Sequence, residues 1–254
     1  MMELKTPGEI DAMREAGRVV ARALEAARQL VAPGVRLAEL DEAAKQVIAD
    51  HKATSAFLNY QPDFAPTPYP KVICTSVNDA IVHGIPDGYR LREGDLLSVD
   101  AGAYLDGWAG DAAFSITVGA DHDREGLIEA AERALAAGIA KMVPGNRLGD
   151  VSAAIGAVAK TSGLAVMSGF GGHGIGRHMH EDPPVPNTGR DGRGLVLRPG
   201  MVLAIEPMLV AGSDGRYQVD DDGWTLRSVS RRWAAHVERT VAVTEEGPRV
   251  LTAL

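Results

Sequence analysis

Apolar residues recur along this chain with two periods. Ile10, Met13, Gly17, Val20, Leu24, Ala27 and Val31 step by three or four, the spacing of a helix with one buried face. Thr6-Pro7-Gly8-Glu9 in front of them reads as a capping box with proline at the first helical position, and Pro33-Gly34 ends the run. A second helix is predicted from about Leu37 to about Asp50, with Leu40, Ala44, Val47 and Ile48 on one face. The proline-rich stretch from Gln61 to Pro70 excludes helix and central strand and predicts an exposed loop. Strand-like runs follow at Val72 to Ser76, Leu96 to Ala103 and Phe114 to Val118. Two further helices are predicted from Asp123 to about Val143, ending in Pro144-Gly145, and from about Leu148 to Thr161.

The second helix pair resembles the first. Sliding residues 21–50 by 111 positions onto 132–161 gives ten identities in thirty without a gap, including Pro33-Gly34 on Pro144-Gly145 and Arg36-Leu37 on Arg147-Leu148. Shared alanine-rich composition is the competing explanation, but helical composition does not fix a junction in register. The chain therefore reads as one domain, 1–254, with two similar halves at about 6–120 and 121–254. Each half has a helix pair and a mainly antiparallel sheet portion, an α+β class. A site at their seam would draw ligands from both.

Composition narrows the function. With 254 residues and 45 % hydrophobic content, the chain can close a substantial core. There is no run of 18 apolar residues, and a polar helix start arrives before any signal-like stretch, so a cytoplasmic protein that does not span a membrane is expected. The single cysteine, Cys74, fits a reducing compartment. The 26 basic and 34 acidic residues leave a formal charge of −8, with no Lys/Arg block. That argues against a nucleic-acid-binding domain and for a small molecule or peptide as partner.

Several polar residues interrupt apolar patterns. Asp100 and Asp111 stand in two apolar strands that meet at a glycine-containing turn, and Glu206 and Glu238 each stand inside a hydrophobic run. Buried carboxylates cost several kcal/mol unless paired or bound to metal. A solvated strand end would relieve the aspartates, and Arg239 offers a salt bridge to the glutamates. Four such accidents are less economical than one shared metal centre. Between them lies Gly169-Phe170-Gly171-Gly172-His173-Gly174, followed by His178 and His180. It satisfies G-x-G-x-x-G formally, but Pro183-Pro184 follow where the dinucleotide fingerprint requires a helix. The glycines instead allow close backbone approach while presenting His173 and His180. Four carboxylates and an imidazole exclude a sulfur-ligated structural zinc site and suit two divalent ions better than one. Mn²⁺, Fe²⁺ or Co²⁺ fit such mixed ligation.

With Asp100, Asp111, His173, Glu206 and Glu238 in this order, the chain resembles the type I methionine aminopeptidases, of pita-bread fold. The likeness is carried by Cys74-Thr75-Ser76-Val77-Asn78-Asp79, Val82-His83-Gly84-Ile85-Pro86-Asp87, Gly172-His173-Gly174-Ile175-Gly176 and Ala204-Ile205-Glu206-Pro207, and runs from about residue 6 to 250. The resemblance implies two divalent ions (Co, Mn, Fe, Zn or Ni), with Asp111 and Glu238 bridging both, Asp100 on one, and His173 and Glu206 on the other. It implies a metal-bridging hydroxide that attacks the first peptide bond and removes an initiator methionine when the next residue is small. His180 would stabilise the tetrahedral product, Glu206 would carry a proton, and His83 would contact the peptide. Phe57, Tyr60, Tyr69, Cys74, Met179 and Trp224 would form the methionine pocket.

Implied partners are peptide or nascent-protein N-termini, with transient ribosome contact, no membrane, and a monomeric state. Two departures bear on substrate preference. The Gln61–Pro68 insertion lengthens the link between Tyr60 and Tyr69, and Met179 stands where phenylalanine is common. An Xaa-Pro aminopeptidase or prolidase shares the fold, but such relatives carry an N-terminal domain for which six residues before the first helix leave no room. The zinc-binding extension of some relatives is likewise not expected. A noncatalytic peptide-binding member of the fold would be expected to lack ligands that this sequence has.

Overall fold

The computed structural model describes residues 3–62, 65–120 and 124–254. In chain order it contains α1 (Pro7–Leu30), α2 (Leu37–Asp50), β1 (Thr54–Ser55), β2 (Ile73–Val77), β3 (Ala80–Val82), β4 (Leu96–Leu105), β5 (Trp108–Thr117), α3 (Glu125–Ala140) and α4 (Leu148–Thr161). Short strands follow: β6 (Leu164–Val166), β7 (Gly171–Gly174), β8 (Glu181–Pro186), β9 (Val202–Ile205), β10 (Met208–Ala211), β11 (Tyr217–Val219), β12 (Leu226–Ser228), β13 (Ala234–His236), β14 (Glu238–Thr244) and β15 (Gly247–Val250).

Nine strands form one antiparallel sheet, β1-β4-β5-β14-β9-β7-β8, with β2 also on β4 and β15 on β14. Two three-stranded sheets, β13-β10-β6 and β11-β12-β3, complete the architecture. The architecture is α+β, the class expected of the pita-bread fold. Side chains alternate across a strand, so each strand divides its residues between helices and site. On β4 the odd-numbered Leu97, Val99, Ala101 and Ala103 join the core beneath α1 and α2. On β9 and β14, Leu203, Ile205, Val241 and Val243 join the core beneath α3 and α4. The even-numbered residues of these strands face the other way.

Local chemistry sets the boundaries. Thr6 caps α1 by accepting from the Glu9 N–H, and Glu9 returns the bond to the Thr6 N–H at 2.8 Å. The helix can lie directly on β5 because both contacts are glycine: a Cβ on Gly110 would stand 2.9 Å from the Gly17 Cα. Asp106 and Gly107, with φ of 50° and 76°, form the two-residue turn of the β4–β5 hairpin.

Four expectations change. The second hairpin strand begins at Trp108 rather than Phe114, because the Asp106-Gly107 turn starts pairing at once. The run around Glu206 is two strands, since Glu206-Pro207 separates β9 from β10 and proline has no N–H for the ladder. The run around Glu238 also breaks, at Val237, so Glu238 opens β14 instead of lying inside a strand. The third helix is shorter than Asp123 to Val143; Asp123 itself lies outside the described residues. In the Gln61–Pro70 stretch the described residues carry neither helix nor strand, and Asp63 and Phe64 lie outside them. No described helix is long and apolar enough to cross a membrane.

Candidate metal centre

The register of the nine-stranded sheet assembles the centre. Five neighbouring strands, β4, β5, β14, β9 and β7, carry or adjoin one predicted donor each: Asp100, Asp111, Glu238, Glu206 and His173. Asp100 is opposite Ala113, Ala113 is opposite Glu238, and Asp111 is two residues from Ala113. Arg239 is opposite Ile205, which brings Glu206 level with Glu238 just past the end of β9. His173 is opposite Ala204, two residues before Glu206. Period-two alternation therefore puts all five side chains on the face turned away from the helices.

Side chains from beyond α4 hold the backbone beneath them. Thr240 Oγ1 donates to the Asp111 carbonyl at 2.8 Å and accepts from the Asp111 N–H at 3.0 Å. Asn187 Nδ2 donates to the Glu206 carbonyl at 2.9 Å, anchoring the strand break. The salt bridge from Arg239 to the glutamates does not form; its Nη1 donates instead to the backbone carbonyls of Ala113 and Glu238 at 3.0 and 2.6 Å.

The nitrogen neighbours of these carboxylates are histidines. His173 Nε2 lies 3.8 Å from Asp111 Oδ2 and 3.6 Å from Glu206 Oε1. His236 Nε2 lies 3.5 Å from Glu206 Oε2 and 3.8 Å from Glu238 Oε2. Burial pushes the Asp100 carboxyl up to about 7 and the Glu206 carboxyl up to about 8. Burial, reinforced by the neighbouring carboxylates, drives Asp111 and Glu238 well above the usual carboxylate range. It also lowers His173 and His83 to about 4, keeping both neutral near pH 7.

These residues fit divalent cations. Asp100 Oδ1, Asp111 Oδ1, Glu238 Oε1 and His236 Nε2 are buried without a hydrogen-bond partner, and Glu238 is only 1 % exposed. A cluster with this much uncompensated negative potential is stable only when protonated or when a cation supplies the missing partner. Donor atoms of Asp111, His173 and Glu238 lie within 4.8 Å of one another, as do those of Glu206, His236 and Glu238. The donor set, oxygen-rich with imidazole, suits borderline divalent metals.

The five donors line a cavity of about 760 Å³, shared with His83, His180 and an aromatic wall. Phe57, Tyr60, Tyr69, Cys74 and Trp224 line it; Met179 does not. Met179 is buried behind the wall, against Phe57 and Gly102, where the absence of a Cβ makes room for its Cε. Tyr69 packs edge-on to Phe57 and to Trp224, with centroids 6.4 and 5.0 Å apart. Burial raises the Cys74 thiol well above its ordinary range, so it is a wall and not a nucleophile. Tyr60 Oη lies 3.2 Å from His180 Nδ1, and the His180 ring is 4.3 Å from that of His173.

Two lining or neighbouring groups escaped the sequence reading. Phe170 lines the cavity from within the glycine segment and meets His83 edge-on at 5.9 Å. His236 is 2 % exposed and two residues before Glu238, a spacing that could have placed it on the same face.

An antiparallel sheet that gathers four carboxylates and an imidazole on one face defines a centre for divalent cations. The chain belongs to metallopeptidase family M24, whose model matches residues 11–245. It is 50 % identical over 98 % of its length to methionine aminopeptidase 1 of Mycobacterium tuberculosis, covering 94 % of that protein. A methionine aminopeptidase of Thermotoga maritima superposes with a TM-score of 0.95 at 39 % identity, with 100 % of both chains covered. A prolidase from Pyrococcus furiosus shares the fold at a TM-score of 0.75 and 23 % identity; this chain covers 65 % of it.

Proposed function

We propose that this chain is a methionine aminopeptidase that takes the N-terminal methionine from peptides and nascent proteins when the second residue is small. The observation that carries the reading is the convergence of four carboxylates and an imidazole from five adjacent strands at one side of an aromatic cavity. Full-length likeness to proteins of that name supports the substrate class.

In this reading Asp111 and Glu238 would hold both cations, Asp100 one, and His173 with Glu206 the other. When bound, such ions polarise the scissile carbonyl and make a water nucleophilic near neutral pH. Glu206 takes the proton released by the attacking water and passes it toward the leaving amide nitrogen. His180, with Nδ1 facing the Tyr60 hydroxyl, has Nε2 free to donate to the developing oxyanion. His83 Nδ1 is buried without a partner, and the peptide beyond the scissile bond would supply one. Phe57, Tyr60, Tyr69, Cys74 and Trp224 surround the methionine side chain, whose thioether gains from ring contacts. Met179 shapes this wall from behind, through Phe57.

The same reading makes 1–254 one catalytic unit, acting as a monomer in the cytoplasm on chains leaving the ribosome. Turnover of Met-Ala-Ser compared with Xaa-Pro peptides tests it. Faster cleavage of Met-Ala-Ser is expected; faster cleavage of Xaa-Pro would replace it with a prolidase-type activity.

A further inference from the structure

We infer that His236 is a sixth donor of the metal centre, its Nε2 binding the cation that Glu206 and Glu238 share. The inference rests on the dinuclear reading above, which assigns nitrogen ligation to His173 alone.

Three observations lead to it. First, the Nε2 is buried without any hydrogen-bond partner, on a residue 2 % exposed. An imidazole nitrogen left this way forfeits its hydration for nothing unless something else meets it. Second, the nitrogen faces two carboxylate oxygens at 3.5 and 3.8 Å. Hydrogen bonds from nitrogen to oxygen close to about 2.7–3.2 Å, so these are not hydrogen bonds. Separations slightly above 3 Å are instead usual for two ligands of one ion, each held at about 2.0–2.2 Å. Third, the ring is positioned by backbone on both sides. The His236 N–H faces the hydroxyls of Ser98 and Ser115 at 3.2 and 3.1 Å, and Ser115 Oγ donates to the His236 carbonyl at 2.8 Å. Ser98 and Ser115 are opposite each other on the β4–β5 hairpin, the element that also carries Asp100 and Asp111. The hairpin of the first region thus fixes a donor supplied by the second.

A supporting imidazole that only hydrogen-bonds to the glutamates is the competing arrangement, and it predicts no metal–nitrogen bond. A second imidazole also changes what the site prefers. Added nitrogen ligation favours zinc, cobalt or iron relative to manganese, which is better suited by oxygen.

The test uses the full chain labelled with nitrogen-15 in histidine and loaded with cadmium as the probe. Two histidine signals with one-bond cadmium–nitrogen coupling are expected, one lost in His173→Gln and the other in His236→Gln. Cadmium and zinc titrations of His236→Gln should show the affinity of one ion reduced by roughly tenfold or more, with the other nearly unchanged. Two bound ions but a single coupled histidine in the unmutated protein would overturn this inference alone, whether or not the variant folds. Failure of the unmutated protein to bind two ions would overturn the dinuclear reading and this one together.

Discussion

The two helix pairs are built alike, yet the strands that follow them serve the centre differently. At each junction a glycine at φ 91°, Gly34 or Gly145, ends the loop after the first helix and donates its N–H to a distant carbonyl, Leu91 or Leu197. Two residues on, Arg36 or Arg147 occupies the position before the second helix, and its N–H donates to Glu39 or Asp150, at 3.0 and 2.7 Å. Each arginine also forms a bridge to a distant segment, at Arg90 and Val196. The donors show no such duplication. The first region offers two aspartates on an uninterrupted hairpin of ten-residue strands. The second offers His173, Glu206 and Glu238 on or beside strands of four to seven residues, with breaks at Pro207 and Val237. Helix packing requires only repeated apolar spacing, whereas a centre with distinct ligand positions requires unlike donors. Similarity between the helix pairs therefore belongs to the scaffold, and asymmetry to the chemistry.

The division of labour is broken most severely where the regions meet. Glu238→Gln removes the donor assigned to both ions, and turnover of Met-Ala-Ser should fall by about a thousandfold or more, with fewer than two metals retained in elemental analysis. Asp100→Asn, touching one ion only, should still retain the other. Next in size, His180→Ala should lower kcat by roughly a hundredfold while leaving metal content intact. A metal content that falls in parallel would assign His180 to the ligands instead.

Removing the metal should expose the cost of the crowded carboxylates. Asp100 and Glu206, raised to about 7 and 8, bind protons in the folded state that the unfolded chain has released. Their stabilising contribution is full below the unfolded carboxylate range and is lost as pH rises through these values. Depressed His83 and His173 act oppositely: their contribution is present above the ordinary value of 6.5 and is lost as pH falls toward about 4. Toward about 8 the histidine contribution is nearly complete while the carboxylates still change, and stability should fall by at most about 1.4 kcal/mol per pH unit for each proton. Melting of the metal-free protein should therefore drop across that window, and added metal should flatten the curve. A metal-free melting temperature that rises with pH would contradict the assignment.

The smallest effect sharpens the scaffold side. Gly34→Ala and Gly145→Ala should each cost roughly 1 kcal/mol, by equal amounts, because no atom lies within 4 Å of either new Cβ. Peptidase activity should be unchanged in both.

Much of this was legible in the sequence because helices and their caps are local. Thr6-Pro7-Gly8-Glu9 and both Pro-Gly junctions fixed the helix ends to within a few residues. Polar interruptions of apolar strands marked the four carboxylates, since a carboxylate there is conspicuous, while His173 was offered, together with His180, by the glycine-rich segment. Strand breaks were harder: the apolar runs around Glu206 and Glu238 continue past Pro207 and Val237, where pairing passes to a different sheet. Met179 was placed on the pocket wall by resemblance, but the gap at Gly102 draws it behind Phe57, a tertiary fit that no local pattern encodes. His236 was passed over because a lone histidine in a buried strand is unremarkable until its neighbours in space are known.

An anomalous-difference map from crystals soaked in manganese tests the central claim most directly. Two peaks are predicted, both in contact with Asp111 and Glu238, one also reached by Asp100 and the other by His173 and Glu206. A single peak, or carboxylates turned toward arginine or lysine with no ion between them, would contradict it.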